Sequence, residues 1–206
     1  MLGTLMASWQ ALLDFWFGDL HNGLADEAHR KQWFTPDPAF DNACADTFKH
    51  LLAGDVEQQL ASWLTNPEGR LAFIVLTDQL PRNIFRGTAQ AFAWDELALK
   101  EAKQGLSKGD DRCLPWDYRA FFYLPFEHAE CIAAQHMAVG LFTFLRDESP
   151  KALRQITGNS LRFAQQHRDI IARFGRFPHR NKVFNRTSTS AEIDFIAGSD
   201  GFGQSR

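Results

Sequence analysis

Apolar residues recur along this chain at helical spacing. Trp9, Leu12, Leu13, Trp16 and Leu20 fall at i, i+3, i+4, i+7 and i+11, one stripe on a helix that ends near Gly18. Asp26 is placed to cap a short helix that carries Trp33. Asp37-Pro38 supplies a cap and then a proline at the first helical position. The stripe Phe40, Cys44, Phe48, Leu51 and Leu52 follows and stops at Gly54. Val56, Leu60, Trp63 and Leu64 continue the pattern as far as Asn66-Pro67. From Pro67 to Leu80 the chain is apolar nearly all round at Leu71 to Leu76, which predicts a buried central helix ending at Leu80-Pro81. Thr88 is expected to cap a helix to about Gln104, closed by Gly105, before a loop from Ser107 to Pro115. Pro125 is expected to open a long helix to Leu145, and Ser149-Pro150 another that reaches Phe174-Gly175. Thr189 and Glu192 fit a capping box for a last short helix. The pattern predicts one all-α domain over residues 1–206, with eight or nine helices and no strand.

Composition agrees with the periodicity. Ala and Leu number 47 against 12 Val and Ile, and β-branched residues are those that lose rotamer freedom in a helix. There are 19 Phe and 6 Trp but only 2 Tyr, so large apolar knobs pack the helices together. A chain of 206 residues can bury a sizeable core without disulfides or metals as staples. Cys44, Cys113 and Cys131 are scattered and odd in number, which argues against a disulfide scaffold and against a cysteine zinc site. The first ten residues carry no basic stretch, so no signal peptide is expected. The longest apolar runs span about six residues, far short of the ~20 needed to cross a bilayer. The expectation is a soluble, cytoplasmic protein with no membrane contact.

Charge is uneven. The formal net charge is −3, yet residues 162–186 hold seven Arg or Lys and one Asp, leaving a body of −9. A basic segment on an acidic body needs an internal counter-charge or a partner. Nucleic acid is not the expected partner, because a pI near 6.1 is wrong for a dedicated binder and no recognition motif is evident.

Three polar clusters sit beside helix ends: Asp78 to Arg86, Phe121 to Glu130, and Arg173 to Asn181. Each mixes charge with large apolar residues, where a surface loop would carry Lys, Ser, Gly and Asp. Together with Leu13 to Gly18 and Trp33-Phe34, these segments resemble a bacterial family known as domain of unknown function 924, over nearly the whole chain. The resemblance implies a multihelical domain similar to the tetratricopeptide-like superfamily of helical hairpins, and implies no established activity. Its characteristic polar positions match Asp78, Gln79, Arg82, Asn83 and Arg86. They also match Glu127, His128, Glu130, Gln135, His167, Arg176, His179, Arg180, Asn181 and Arg186. Ala129 stands where Ser is usual, and Asn185 where Gly is common.

Read from the residues alone, Glu127 and Glu130 lie three apart and share a face of the helix expected to begin at Pro125. There the helix dipole favours carboxylates, and an ion pair to Arg is their bland role. A metal is not expected, since neither a repeated Glu-x-x-His nor H-E-x-x-H is present. The alternative is acid/base work by His128 or Glu130, and in an enzyme His128 or His179 would be the acid/base, oriented by Glu127 or Glu130. Gly175 suits a left-handed cap and Pro178 stops the helix resuming, which holds Arg176, His179 and Arg180 in a stiff turn. Guanidinium forks so held suit carboxylate or phosphate. They suit equally a structural pairing with Asp78, Glu127 and Glu130.

The favoured expectation is a cleft for a small anionic ligand, with hydrolase or transferase chemistry. His128, Glu127, Glu130 and His179 would be its catalytic groups. Asp78, Arg82, Asn83, Arg86, His167, Arg176, Arg180 and Asn181 would bind the ligand. No cofactor is named by the sequence. The rival is a non-catalytic, tetratricopeptide-like module for a protein partner, an argument from fold analogy alone.

Overall fold

A computed structural model of the chain describes residues 8–198. The stretch 1–7, part of the region read as lacking a signal peptide, lies outside the described residues. Within them the chain is all-helical, and its one β contact is an isolated bridge between His21 and Leu24.

The first helices follow their caps. Helix α1 (Trp9–Phe17) starts at Ser8, whose side chain accepts from the Ala11 N–H, and ends at Gly18 with φ +60. Helix α2 (Glu27–Gln32) is capped by Asp26, and α3 (Pro38–Phe48) by Asp37 with Pro38 in its first turn. Asp55 caps the short α4 (Val56–Gln59), and Asn66 caps α5 (Pro67–Ile74). Side-chain oxygens here satisfy N–H groups that have no intrahelical partner. Helix α5 is the central, fully buried one, packed against α1, the following α7 (Asp95–Lys108) and α8 (Trp116–His128).

At Leu80-Pro81 the helix does not stop. It widens into a π turn, Val75–Gln79, and continues as α6 (Leu80–Ile84). The Leu80 N–H bonds the Val75 carbonyl, five residues back, and Pro81 sits in the first turn of α6, where its missing N–H is tolerated.

Gly105 does not end a helix either. It lies inside α7, which runs on to Lys108 and is closed by Gly109 in the left-handed conformation, φ +77. A Cβ at Gly105 would meet Phe122 Cζ at 2.4 Å and Arg70 Cδ at 2.6 Å, so close packing rather than termination requires this glycine. Thr88 precedes a single 3-10 turn, Ala89–Phe92, and the expected loop Ser107 to Pro115 begins inside α7 and contains another such turn, Asp110–Cys113.

The third difference bears on function. Pro125 is inside α8, which continues to His128, and the break falls at Ala129 to Cys131 before α9 (Ile132–Glu148). Burial of Phe121, Phe122, Tyr123 and Phe126 holds the helix through its proline. Its end is satisfied by Gln135, fully buried, whose Nε2 donates to the carbonyls of Glu127 at 2.6 Å and Ala129 at 2.8 Å. Glu127 and Glu130 therefore flank a helix C-terminus instead of sharing a helical N-terminal face.

Helix α10 (Arg154–Phe174) packs along α9 and α8 and ends at Gly175, φ +68, as the sequence predicts. A 3-10 turn, Pro178–Arg180, and helix α11 (Ser190–Ala197) follow, the latter with both halves of the Thr189–Glu192 capping box. No helix among the described residues is long and apolar enough to cross a membrane.

Candidate functional site

Helix α6, the second half of α8, α10 from Ile156 to His167, the segment 27–36 and the turn at Pro178–Arg180 meet around a cavity of about 650 Å³. Its polar wall gathers residues from all three clusters: Arg82, Asn83 and Arg86 from the first, Glu127 and His128 from the second, His179 and Arg180 from the third. His167 of α10 joins them.

Asp78 stands directly behind this wall, with no exposure to solvent. The π turn places it where His128 Nδ1 lies 2.9 Å from both its carboxylate oxygens, and Gln79 Nε2 donates to the same group. Arg82 Nη1 lies 3.4 Å from Asp78 Oδ1 and donates to the Asp78 carbonyl. Burial alone pushes the Asp78 carboxyl up, but Arg82 and His128 outweigh it and hold it well below the usual carboxylate range. An ionised Asp78 accepts, so the hydrogen bond puts the proton of His128 on Nδ1 and leaves Nε2 as the ring's basic nitrogen. Burial, opposed by Asp78, lowers the His128 pKa, which keeps the ring neutral near pH 7.

Two guanidiniums share one carboxylate beside this pair. Arg82 grips Asp95 with two bonds, at 2.9 and 3.0 Å, whereas Arg180 reaches the same group at 3.3 Å. Arg180 lies between the rings of Phe92 and Phe177, 4.4 and 4.6 Å from their centroids. Its Nε is buried without a hydrogen-bond partner among the described residues. Burial, with the positive charge of Arg82 adding to it, pulls the Arg180 pKa down to about 10.

Glu127 is buried and faces His167, whose Nδ1 is 3.2 Å from Glu127 Oε1 and 2.9 Å from the Phe163 carbonyl. Burial and then the charge of Asp78 push the Glu127 carboxyl up to about 8. A helix C-terminus is the wrong end of the dipole for a carboxylate and works in the same direction. Burial and neighbouring cations push His167 down to about 3, and His179 likewise to about 3. The wall thus presents neutral imidazoles and a protonated carboxyl beside two fixed cations.

The remaining candidates lie elsewhere. Glu130 is bound by Arg186, at 2.7 and 3.0 Å, and by the Phe177 N–H at 2.8 Å. Arg176 pairs with Glu192 and the Thr187 carbonyl on the far side of the turn, and Asn181 donates to Ser188 Oγ at 3.0 Å. Neither Glu130, Arg176 nor Asn181 reaches the cavity. The sequence reading did not single out Asp95 and Asp41, the acids that hold Arg82, Arg180, Arg86 and Asn83. Of a cavity-facing stripe on α10, Ile156, Asn159, Ser160, Phe163 and His167, it named only His167. That stripe was legible as i, i+3, i+4, i+7 and i+11. Among the described residues no three His, Cys, Asp or Glu side chains are placed to hold one metal ion.

The fold and the cavity define an all-helical protein built around an Asp–His–Arg cluster at a helix junction. Residues 12–200 match the family described as bacterial protein of unknown function (DUF924), and the chain belongs to that family. It is similar to the solved structure of a protein of unknown function from Agrobacterium tumefaciens. The two are 38% identical with a TM-score of 0.77, over 93% of this chain and 97% of that one. No curated protein matches.

Proposed function

We propose that this protein binds a small ligand bearing a carboxylate or phosphate, with the anion seated against Arg82 and Arg180. His128, oriented by Asp78, acts on it as acid or base in a hydrolytic or transfer reaction. The reading is carried by Arg180: its acid contact is with Asp95 at 3.3 Å, a group that Arg82 holds with two shorter bonds, and its Nε is buried without a hydrogen-bond partner among the described residues. An anion in the cavity supplies hydrogen-bond acceptors that Arg180 lacks and can be taken bidentately. His128 Nε2 is then the adjacent proton acceptor, and the raised pKa of Glu127 makes it a proton donor at neutral pH. A cavity lined by these groups favours a small ligand over the flat or concave surface of a protein-interaction module.

The test is a thermal-shift series with phosphate, phosphorylated sugars, nucleotides and small carboxylates. A ligand at 100 times its Kd adds about 2.7 kcal/mol, or roughly 5–11 °C for a domain of this size. Arg180→Met is expected to abolish the shift. Arg186→Ala, which removes contacts to Glu130, the Phe177 carbonyl and the Phe184 ring and touches none of the cavity's polar groups, is expected to retain it. A flat panel, or an Arg180→Met protein that responds like the wild type, overturns the proposal.

A further inference from the structure

The cavity has a second pole. Along α8 its lining changes from Ala120, Phe121 and Leu124 to Glu127 and His128, and along α10 it runs Ile156, Asn159, Ser160, Phe163 and then His167. Helices α8 and α9, and then α9 and α10, are joined by short connections and run antiparallel. Arg119 near the start of α8 meets Glu148 at the end of α9, and Ser149 meets Thr157 near the start of α10. Helices α8 and α10 therefore run the same way, and the step from a large apolar side chain to a titratable one, Leu124 to Glu127 and Phe163 to His167, has the same direction on both walls. The polar ends are locked together by Glu127 and His167. Ile156 to His167 spans about 16 Å of helix axis.

At the apolar end large hydrophobic surface is left in water. Phe34 is 67% exposed and lies stacked near Phe121, with ring centroids 6.3 Å apart, and Phe163 is 46% exposed. Both rings line the cavity. Of the cations at this end, Arg30 is taken up by Asp117, at 3.0 and 3.1 Å, and Lys31 lines the rim of the cavity exposed to solvent. The guanidiniums held inside the protein, Arg82 and Arg180, are at the other pole, where the Arg180 Nε is buried without a hydrogen-bond partner among the described residues.

We infer that the ligand is an amphipathic anion, with its head at Arg82, Arg180 and His128 and an alkyl or aryl body lying between α8 and α10 toward Phe34 and Phe163. This rests on the anion-binding reading above and adds the ligand's other half. Small, wholly polar anions such as phosphate or acetate occupy the head position only and leave the apolar walls wet.

Calorimetric titration of the full chain with acetate, butanoate, hexanoate and octanoate tests it, with inorganic phosphate and 1-octanol as companions. The expected result is a Kd that falls up to about 4-fold per added methylene as each is buried. Octanol, lacking the charge, is expected to bind at least ~10-fold more weakly than octanoate, the loss that one charge-assisted contact carries. Phe163→Asn, at a half-exposed position that the fold does not depend on, is expected to flatten the series. Acetate, phosphate and octanoate binding with similar Kd overturns this inference and leaves the anion reading standing. Octanol matching octanoate, or no binding by any of the anions, overturns both.

Discussion

Asp78 and His128, fifty residues apart in the chain, meet with His128 Nδ1 2.9 Å from each carboxylate oxygen. Two irregularities make the contact. A π turn carries Asp78 inward, and α8 persists through Pro125 long enough to carry His128 to the same point. Arg82, one turn beyond Asp78, ties the pair to Asp95 and through it to Arg180. The catalytic half of the proposal stands on this geometry.

Replacing Asp78 by Asn is expected to act on His128 before anything else. The carboxylate opposes the effect of burial on the ring, so its loss lowers the His128 pKa further. The fold is expected to lose on the order of 3–5 kcal/mol, because Arg82 stays buried with one acid fewer. Ring-proton NMR titration and urea unfolding of Asp78→Asn measure the two effects. A His128 titration that does not move counts against the pairing.

Stability is expected to peak near pH 6.5. His167 and His179, at about 3 when folded and ordinarily at 6.5, take up protons in the unfolded chain first, so their stabilisation is lost as pH falls below 6.5. Glu127, at about 8 when folded and ordinarily at 4.5, holds a proton that the unfolded chain lacks, so its contribution is lost as pH rises from 4.5 to 8. Between 4.5 and 6.5 two histidines outweigh one carboxyl, and above 6.5 only the carboxyl remains. Urea midpoints at pH 5, 6.5 and 8 display the maximum, and Glu127→Gln removes the decline above 6.5. A wild-type midpoint that climbs steadily through pH 8 contradicts the assignment.

Gly105→Ala sets helix propensity against packing. In an exposed helix the change gains about 1 kcal/mol. Here the new methyl would press on Phe122 and on Arg70, which is fixed by Glu101, Asp110 and the Leu64 carbonyl. Overpacking costs about 1–3 kcal/mol, so a net loss of stability is expected. Thermal unfolding of the variant decides it, and an increase in Tm refutes the packing argument.

Caps and stripes were legible in the sequence because they act within one or two turns. Asp26, Asp37, Gly175 and the Thr189–Glu192 box do what their local chemistry requires. The polar clusters were legible for the same reason: charge beside large apolar side chains at a helix end is unusual wherever it occurs. What the sequence by itself determined was therefore the helical class, the helix starts at Asp26, Asp37, Asn66-Pro67 and Thr189, and the segments rich in chemistry.

Tertiary structure decided the rest. Proline and glycine signals at Pro81, Gly105 and Pro125 were overridden because burial on several sides outweighs a local preference of about 1–3 kcal/mol. Which acid meets which base was decided there too. Asp95 reaches Arg180 across 85 residues and Asp41 reaches Arg86 across 45, separations at which no periodicity carries information. The same packing sent Arg176 to Glu192 and Glu130 to Arg186, away from the cavity, and set Glu127 against a histidine instead of an arginine.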